Sequence, residues 1–180
     1  MIDPPQTPKN PLDQIAARRQ RVAEICDLLE ALADDLPEKS NDLWREAARR
    51  CGSDIPRHYD EINRALLPLL KMRLGATPEV AALERFEADT QEDSFRASEL
   101  LDLLGGAELS RTRKLDADAV GYALRGFFLA IRRQVLWERD VLLPLADRIL
   151  TKADLARLAA RLTPAETTSG QEPRTRRRLH

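Results

Sequence analysis

Apolar residues recur at steps of three, four and seven along much of the chain, the spacing that gathers them on one face of an α-helix. In the first such segment, from about Leu12 to Leu36, the apolar positions are Ile15, Val22, Ile25, Leu29, Leu32 and Leu36. Capping residues, prolines and glycines divide the rest into further predicted helices: Asn41 to about Gly52, Ser53 to Leu74, Thr77 to the Gly105–Gly106 pair, one that starts at Asp116, and Thr151 to about Leu162. The pattern predicts an all-α fold, a four-helix up-down bundle with extra short helices.

Composition agrees with packed helices and removes several classes of partner. Hydrophobic residues make up 43% of the 180 residues and aromatic residues only 4%, which is typical of helices rather than sheets. The formal net charge of -1 provides no general attraction for nucleic acid or for an anionic membrane. The N-terminus, MIDPPQTPKNP, lacks the basic start and apolar segment of a signal peptide, so we expect a cytoplasmic protein.

Two polar ends flank the predicted helical domain. Residues 1–10 are rich in proline and residues 164–180 end in RTRRRLH, so both ends are predicted to be disordered. The domain between them covers residues 11–163. Its two cysteines, Cys26 and Cys51, lack the spacing of a metal site or a redox motif and are predicted to be buried thiols rather than a disulfide.

One short sequence occurs twice. ALLPLLKMRL begins at Ala65 and VLLPLADRIL begins at Val141, and both contain Leu-Leu-Pro-Leu and end in leucine. Each proline falls late in a predicted long helix, where the missing N–H is expected to kink the helix without necessarily ending it. Two helical hairpins that each end in such an element predict approximate two-fold internal symmetry.

Polar residues interrupt the apolar faces of the four long helices. The interrupting residues are Arg18 or Arg19 on the first helix, His58 on the second, Asp89, Thr90 and Asp93 on the third, and Gln134 and Glu138 on the fourth, where Phe127, Ile131, Val141 and Leu145 continue the stripe. Buried polar groups need partners, so we expect these residues to meet one another or a ligand at the centre of the bundle. Alternatively, a rotated helix would leave Arg19 or Glu138 at a solvated edge, with its long stem over apolar neighbours.

Three segments resemble a known family. PLDQIAARRQRVAEICDLLEALADD, RHYDEINRALLPLL and QVLWERDVLLPLADRILTKADLARLAARL are similar to the first, second and fourth helices of bacterial hemerythrin-like (HHE cation-binding) proteins. The resemblance covers roughly Pro11 to Leu162, and its most specific feature is the repeated Leu-Leu-Pro-Leu. It implies a four-helix bundle that binds two irons through His-x-x-x-Glu pairs before each Leu-(Leu/Phe)-Pro element and through histidines of the first and third helices.

The ligand positions that the resemblance implies are only partly filled. In the first repeat His58 matches the histidine, but Ile62 stands at the glutamate position; in the second repeat Glu138 matches the glutamate, but Gln134 stands at the histidine position. The first-helix histidine falls on Arg19 and the third-helix histidine on Asp89. Because the chain has two histidines, and the second is the terminal His180, a histidine-rich di-iron site cannot be assembled.

Two hypotheses for the centre follow from the resemblance. In the first, no cofactor is bound, and the Arg19 guanidinium takes the place of the lost metal charge and pairs with Glu138 or Asp89. In the second, His58, Glu138, Asp89 and a neighbour such as Glu61 hold a single cation, with iron as the alternative cofactor.

The functional expectations follow these two hypotheses. No nucleophile with a base, glycine-rich phosphate loop or cysteine cluster occurs in the sequence, so we expect a non-enzymatic regulatory or protein-interaction module. The alternative is a metal-binding protein that senses oxygen, nitric oxide or a cation. A third reading is an enzyme that uses His58 and Glu138 as an acid–base pair in an open cavity. The sequence leaves the protein partner and the oligomeric state open.

Overall fold

The computed structural model of the protein describes residues 10–36, 41–109 and 117–162. Every regular element in these residues is helical, which confirms the predicted all-α class. The helices are α1 (Pro11–Asp34), α2 (Asn41–Glu61), a first π-helical segment (Ile62–Leu66), α3 (Leu67–Leu74), α4 (Pro78–Leu109), α5 (Ala117–Trp137), a second π-helical segment (Glu138–Leu142), α6 (Leu143–Ile149) and α7 (Lys152–Leu162).

The ends of the chain were predicted to be disordered, and most of both lies outside the described residues. Asn10 is described, and its side-chain oxygen accepts a hydrogen bond from the Leu12 N–H at 3.1 Å, so that it caps α1. Within the described ranges, no helix combines the length and the apolar composition that crossing a membrane requires.

Two predicted helix ends are wrong. The helix from Asn41 does not stop near Gly52 but continues through Gly52 and Pro56 to Glu61. Glycine and proline cost about 1 and about 3 kcal/mol in a helix interior, and the burial of Cys51, Ile55 and Tyr59 in the core offsets this cost. Similarly, α4 runs through the Gly105–Gly106 pair to Leu109. The predicted start at Asp116 lies outside the described residues, and α5 begins at Ala117.

The long helices are arranged so that α1 packs against α2 and α5, and α4 packs against the same two helices. Two apolar clusters fill the space between them. The first includes Val22, Ile25, Leu29, Ile55, Ala97, Leu100, Leu124, Phe127 and Ile131, and the second includes Leu12, Ile15, Ile62, Leu66, Leu83, Phe86, Leu142 and Leu145. Between the residues of the two clusters lie the buried polar residues of α2, α4, α5 and the second π segment, which are His58, Thr90, Asp93, Gln134 and Glu138. We call these five residues the polar layer.

The repeated Leu-Leu-Pro-Leu sequence has the same backbone structure in both copies. A π-helical segment ends just before Leu67-Pro68 and another just before Leu143-Pro144. In each, the N–H of the leucine donates to a carbonyl five residues earlier, that of Ile62 in the first copy and that of Glu138 in the second. Proline lacks an N–H and clashes with the carbonyl four residues before it, and one extra residue in the turn relieves that conflict.

The second π segment corrects the predicted apolar stripe. Regular helical spacing places Val141 on the buried face with Glu138 and Leu145, but Val141 is 43% exposed and Leu142 is fully buried. The π turn adds one residue, which rotates every later position by about 100° relative to a regular helix. Of the two residues expected on the buried side, Leu142 therefore lies in the core and Val141 does not.

The predicted capping box at the start of α7 is confirmed. The Asp154 N–H donates to the Thr151 hydroxyl at 3.3 Å, and the Thr151 N–H donates to the Asp154 carboxylate at 3.0 Å. Arg73 of α3 also donates to this carboxylate, at 2.7 Å, and holds the pKa of Asp154 well below its usual range. The cap therefore ties α7 to the end of α3.

We expect Leu142→Ala to lower the free energy of unfolding by about 2 to 4 kcal/mol, because it empties a fully buried site. The matched change Val141→Ala should alter it by less than about 0.5 kcal/mol, because that side chain is already largely in solvent. Urea denaturation of both variants checks this difference. Equal destabilisation would contradict the π-helical register.

Candidate functional site

The centre of the polar layer is a hydrogen bond between the two repeats. His58 lies on α2, just before the first π segment, and Glu138 is the first residue of the second. Their Nε2 and Oε2 atoms are 2.8 Å apart, and the side chains are 1% and 0% exposed. A carboxylate can only accept, so the imidazole N–H is the donor. The prediction that Glu138 points inward is confirmed, and the alternative of a solvated edge is wrong for this residue.

Several polar atoms close to this pair make no hydrogen bond to a described residue. They are His58 Nδ1, Tyr59 Oη, Asp93 Oδ2 and Glu138 Oε1. Burial raises the pKa of Tyr59 well above its usual value, and the nearby carboxylates of Asp93 and Glu138 add to the effect. The phenol is therefore held in its neutral form. Tyr59 was missed in the sequence, although it lies four residues after Ile55 and so continues the buried face.

A polar groove leads from the surface between α4 and α5 to the polar layer. Its volume is about 420 Å³, and its walls are Arg85, Asp89, Glu92, Asp93, Arg96, Arg133 and Gln134. Two of these residues, Asp93 and Gln134, belong to the polar layer. Burial raises the pKa of Asp93 to about 6 from its usual 3.8, against the opposing effect of Arg96 and Arg133. Asp93 is thus the ionisable side chain of the polar layer that lines the groove.

The third-helix position is filled by Thr90 and Asp93 rather than by Asp89. Thr90 is fully buried and exchanges hydrogen bonds with the Asn63 side chain, at 3.1 and 3.2 Å. Asp89 is half-buried in the groove and accepts from Arg85 Nε at 3.1 Å. Leu83, Phe86, Thr90 and Asp93 follow one another at steps of three, four and three, whereas Asp89 lies one residue before Thr90, about 100° away around the helix axis. The placement of Asp89 at the centre is therefore wrong.

The arginine of α1 that meets an acidic partner is Arg18. It forms an ion pair with Glu61, and both side chains are largely buried. Glu61 also accepts from Arg57 Nε at 3.2 Å. Arg18 lies three residues after Ile15 and four before Val22, so it continues the buried face.

The expected pairing of Arg19 with Glu138 or Asp89 is not found, because those carboxylates bind His58 and Arg85. Arg19 is half-buried, and its charge acts on the more exposed Asp140, whose pKa is lowered mainly by a hydrogen bond from Arg139. Arg18 is therefore neutralised by Glu61 rather than by Glu138 or Asp89, and the cations that act on Asp93 of the polar layer are Arg96 and Arg133.

The residues at the centre do not fit an iron site. In the described part of the chain, no group of three or more His, Cys, Asp or Glu side chains is placed to hold a metal ion. Ile62 and Gln134, at the positions that the resemblance assigns to two ligands, are both buried. The four-residue set of the single-cation hypothesis is dispersed, since His58 and Glu138 bind each other while Asp89 and Glu61 pair with arginines. Protein sites for iron or zinc usually need three or four converging ligands.

Two further expectations concern catalysis and the cysteines. His58 and Glu138 are both fully buried, so they do not face the open cavity that an acid–base pair needs. Cys26 and Cys51 are buried free thiols, as predicted. Burial raises the pKa of each to about 12, so both stay protonated at neutral pH.

Comparison of the sequence with models of known protein families gives no match, and comparison with curated proteins gives none either.

A double-mutant cycle tests the coupling of the central pair. We expect His58→Leu and Glu138→Ile each to lower the free energy of unfolding by about 3 to 5 kcal/mol, because each leaves a buried polar partner alone. Ile is the residue that the first repeat carries at the corresponding position. The double variant should lose at least about 1 kcal/mol less than the sum, measured by chemical denaturation. Strict additivity would show that the two side chains do not interact.

Asp93 gives a prediction with a defined pH range. Because its pKa in the folded protein, about 6, lies above its usual 3.8, folding disfavours the ionised carboxylate. Its contribution to stability is therefore present at acidic pH and is lost as pH rises from about 4 to about 6.

We expect Asp93→Asn to stabilise the protein at pH 7.5 by about 1 to 2 kcal/mol, less than the full pKa shift implies, because solvent in the groove screens the charge. The same change should be nearly neutral at pH 4. Thermal denaturation at the two pH values checks this, and equal effects at both would contradict it.

Proposed function

We propose that this chain is a hemerythrin-like four-helix bundle that folds around a hydrogen-bonded polar layer instead of a di-iron centre, and that it acts as a non-catalytic regulatory or protein-interaction module. The observation that carries the proposal is the 2.8 Å hydrogen bond between His58 and Glu138. The first repeat supplies the histidine of its His-x-x-x-Glu pair, and the second repeat supplies the glutamate of its own pair. His58 Nε2 and Glu138 Oε2 bind each other, and a metal at this place would need these same two atoms as ligands.

The bundle itself is supported by the packing of the long helices. Each of α1, α2, α4 and α5 contacts two others in a closed order, in which α1 is followed by α2, α4 and α5. The extra short helices α3 and α6 continue α2 and α5 beyond the two π segments. In an up-down bundle, facing side chains of four helices form sites in the core, which is where the polar layer lies.

A regulatory or binding role is favoured over catalysis by the burial of the central pair. A substrate would have to displace the packed core to reach His58 or Glu138. Asp93 and Gln134 line the polar groove but remain buried, and the arginines of the groove are largely paired with its own acidic residues, as in Arg85 with Asp89 and Arg96 with Glu92. What the fold offers to other molecules is its outer surface.

Metal analysis distinguishes this proposal from the alternative function, which is the sensing of oxygen, nitric oxide or a cation through a bound metal. We expect untagged protein, expressed with added iron, to carry far less than one metal per chain, and its Tm to be unchanged by Fe²⁺, Zn²⁺ or a chelator. A metal that bound the folded state would raise Tm by mass action.

The control for this experiment is the variant Ile62→Glu/Gln134→His, which restores both His-x-x-x-Glu pairs of the repeats. Metal uptake by the variant and none by the parent would establish that the assay can detect such a site. Stoichiometric iron in the parent protein, lost in Glu138→Ile, would overturn the proposal in favour of the metal-binding alternative.

A further inference from the structure

The polar groove between α4 and α5 opens on the outer surface and has the size of a site for a small molecule. Its volume of about 420 Å³ lies within the range that such sites usually have. Six of its seven lining residues are charged, three with each sign, and the seventh is Gln134. A groove with this lining suits a ligand that is itself charged.

Most charges of the groove neutralise each other within the protein. Two ion pairs between residues four apart on α4 take up two of the arginines and two of the acidic residues, and they are Arg85 with Asp89 and Arg96 with Glu92. The charged residues left over are Asp93 on α4 and Arg133 on α5. Arg133 is exposed, and its guanidinium makes no hydrogen bond to a described residue. The charges available to a ligand are therefore one negative and one positive.

The two side chains at the base of the groove also lack hydrogen bonds to described residues. Asp93 is 3% exposed and Gln134 is 4% exposed. Asp93 Oδ2 makes no such bond, and Asp93 Oδ1 lies 3.9 Å from Arg96 Nη1, which is beyond hydrogen-bonding distance. A buried carboxylate without a donor is costly. A ligand that brings donors to Asp93 therefore gains more than it would at an exposed carboxylate.

We propose that the polar groove binds a small zwitterion, which places its ammonium group on Asp93 and the Gln134 side-chain carbonyl, and its carboxylate on Arg133. An ammonium group carries several donors and no acceptor, which matches the two oxygen-bearing side chains at the base. A guanidinium binds a carboxylate through parallel N–H groups, which suits Arg133 at the exposed wall. Amino acids are the simplest molecules of this class.

A ligand with a single charge fits the groove less well. An anion on Arg133 would leave the Asp93 carboxylate without a donor. A cation would satisfy Asp93, but it would lie close to Arg96 and Arg133, the two cations that already act on this carboxylate. It would have no negative group to offset their repulsion. The carboxylate of a zwitterion supplies that offset.

The inference deepens the proposed regulatory role, because it names a class of ligand to which the protein would respond. It also has a separate test. Metal content reports on the His58–Glu138 centre, whereas zwitterion binding reports on the groove. Failure of one proposal is therefore distinguishable from failure of the other.

Isothermal titration calorimetry tests the class of ligand. The probes are unbranched amino acids from glycine to 5-aminovalerate, which vary the distance between the two charges. We expect at least one of them to bind the full chain at one site with a Kd below about 10 mM, and methylamine and acetate to bind at least about tenfold more weakly. Lack of binding by every zwitterion, or equal binding of methylamine, would overturn the proposal.

The position of the ammonium group is tested from both sides of the contact. Asp93→Asn should raise the Kd of the best zwitterion at least about tenfold, and the variant is expected to fold because the change removes a buried charge. The control Asp102→Asn alters an exposed aspartate of α4 outside the groove and should leave the Kd unchanged. N-acetylation of the ligand should abolish binding to the unchanged protein. Binding that survives either Asp93→Asn or N-acetylation would overturn the proposal.

The position of the ligand carboxylate is tested with Arg133→Gln. This variant should raise the Kd about threefold or more, a modest effect because the guanidinium is exposed, while the control Arg139→Gln, at another exposed arginine, should not. Conversion of the ligand carboxylate to an amide should weaken binding to the unchanged protein but add little to the effect of Arg133→Gln, since both changes remove the same contact. Circular dichroism establishes that the variants fold. Fully additive losses would overturn the proposed contact with Arg133.

Discussion

The structure depends on burying an imidazole and a carboxylate together. His58 and Glu138 come from helices far apart in sequence, and neither could be buried alone without a cost of several kcal/mol. Their hydrogen bond therefore fixes the position of α2 along α5. Because α1 and α4 each pack against both of these helices, the same contact sets the level at which Arg18 and Thr90 approach the core. The two apolar clusters supply most of the burial, and the polar layer between them determines their register.

The repeated Leu-Leu-Pro-Leu sequence acts on this layer through the backbone. Each proline enforces a π segment, and the second segment begins at Glu138 itself. The segment leaves Glu138 on the face set by α5, while it rotates the following residues so that Leu142 rather than Val141 enters the core. The second π segment thus lets one continuous helical stretch contribute first to the polar layer and then to the second apolar cluster. A regular helix through the same sequence would place Val141 and Leu142 at similar angles on either side of the buried face.

The helices and the level of the polar layer could be predicted from the sequence, because apolar spacing and capping signals are local. The errors are single-residue rotations. Arg18 rather than Arg19 and Thr90 rather than Asp89 face inward, and each pair differs by about 100° around the helix axis. The resemblance implied Arg19 and Asp89, while apolar spacing left Arg18 and Arg19 equally placed between Ile15 and Val22. The π turn also could not be read from apolar spacing, since it changes that spacing. The pairing of Arg18 with Glu61 could not be predicted either, because it depends on how α1 packs against α2, which no local pattern specifies.

The two repeats differ in complementary ways, and this complementarity explains why neither can be altered alone. In the core, His58 of the first repeat lies against Glu138 of the second, and the buried residues four positions from them on their own helices are Ile62 and Gln134. A symmetric pair of imidazoles and carboxylates would place four polar groups in a space without water, which would demand further positive charge. With a histidine from one repeat and a glutamate from the other, one hydrogen bond joins the two side chains, while His58 Nδ1 and Glu138 Oε1 make no hydrogen bond to a described residue. Removal of either side chain would leave the other buried without its hydrogen-bonding partner, so the two positions are coupled.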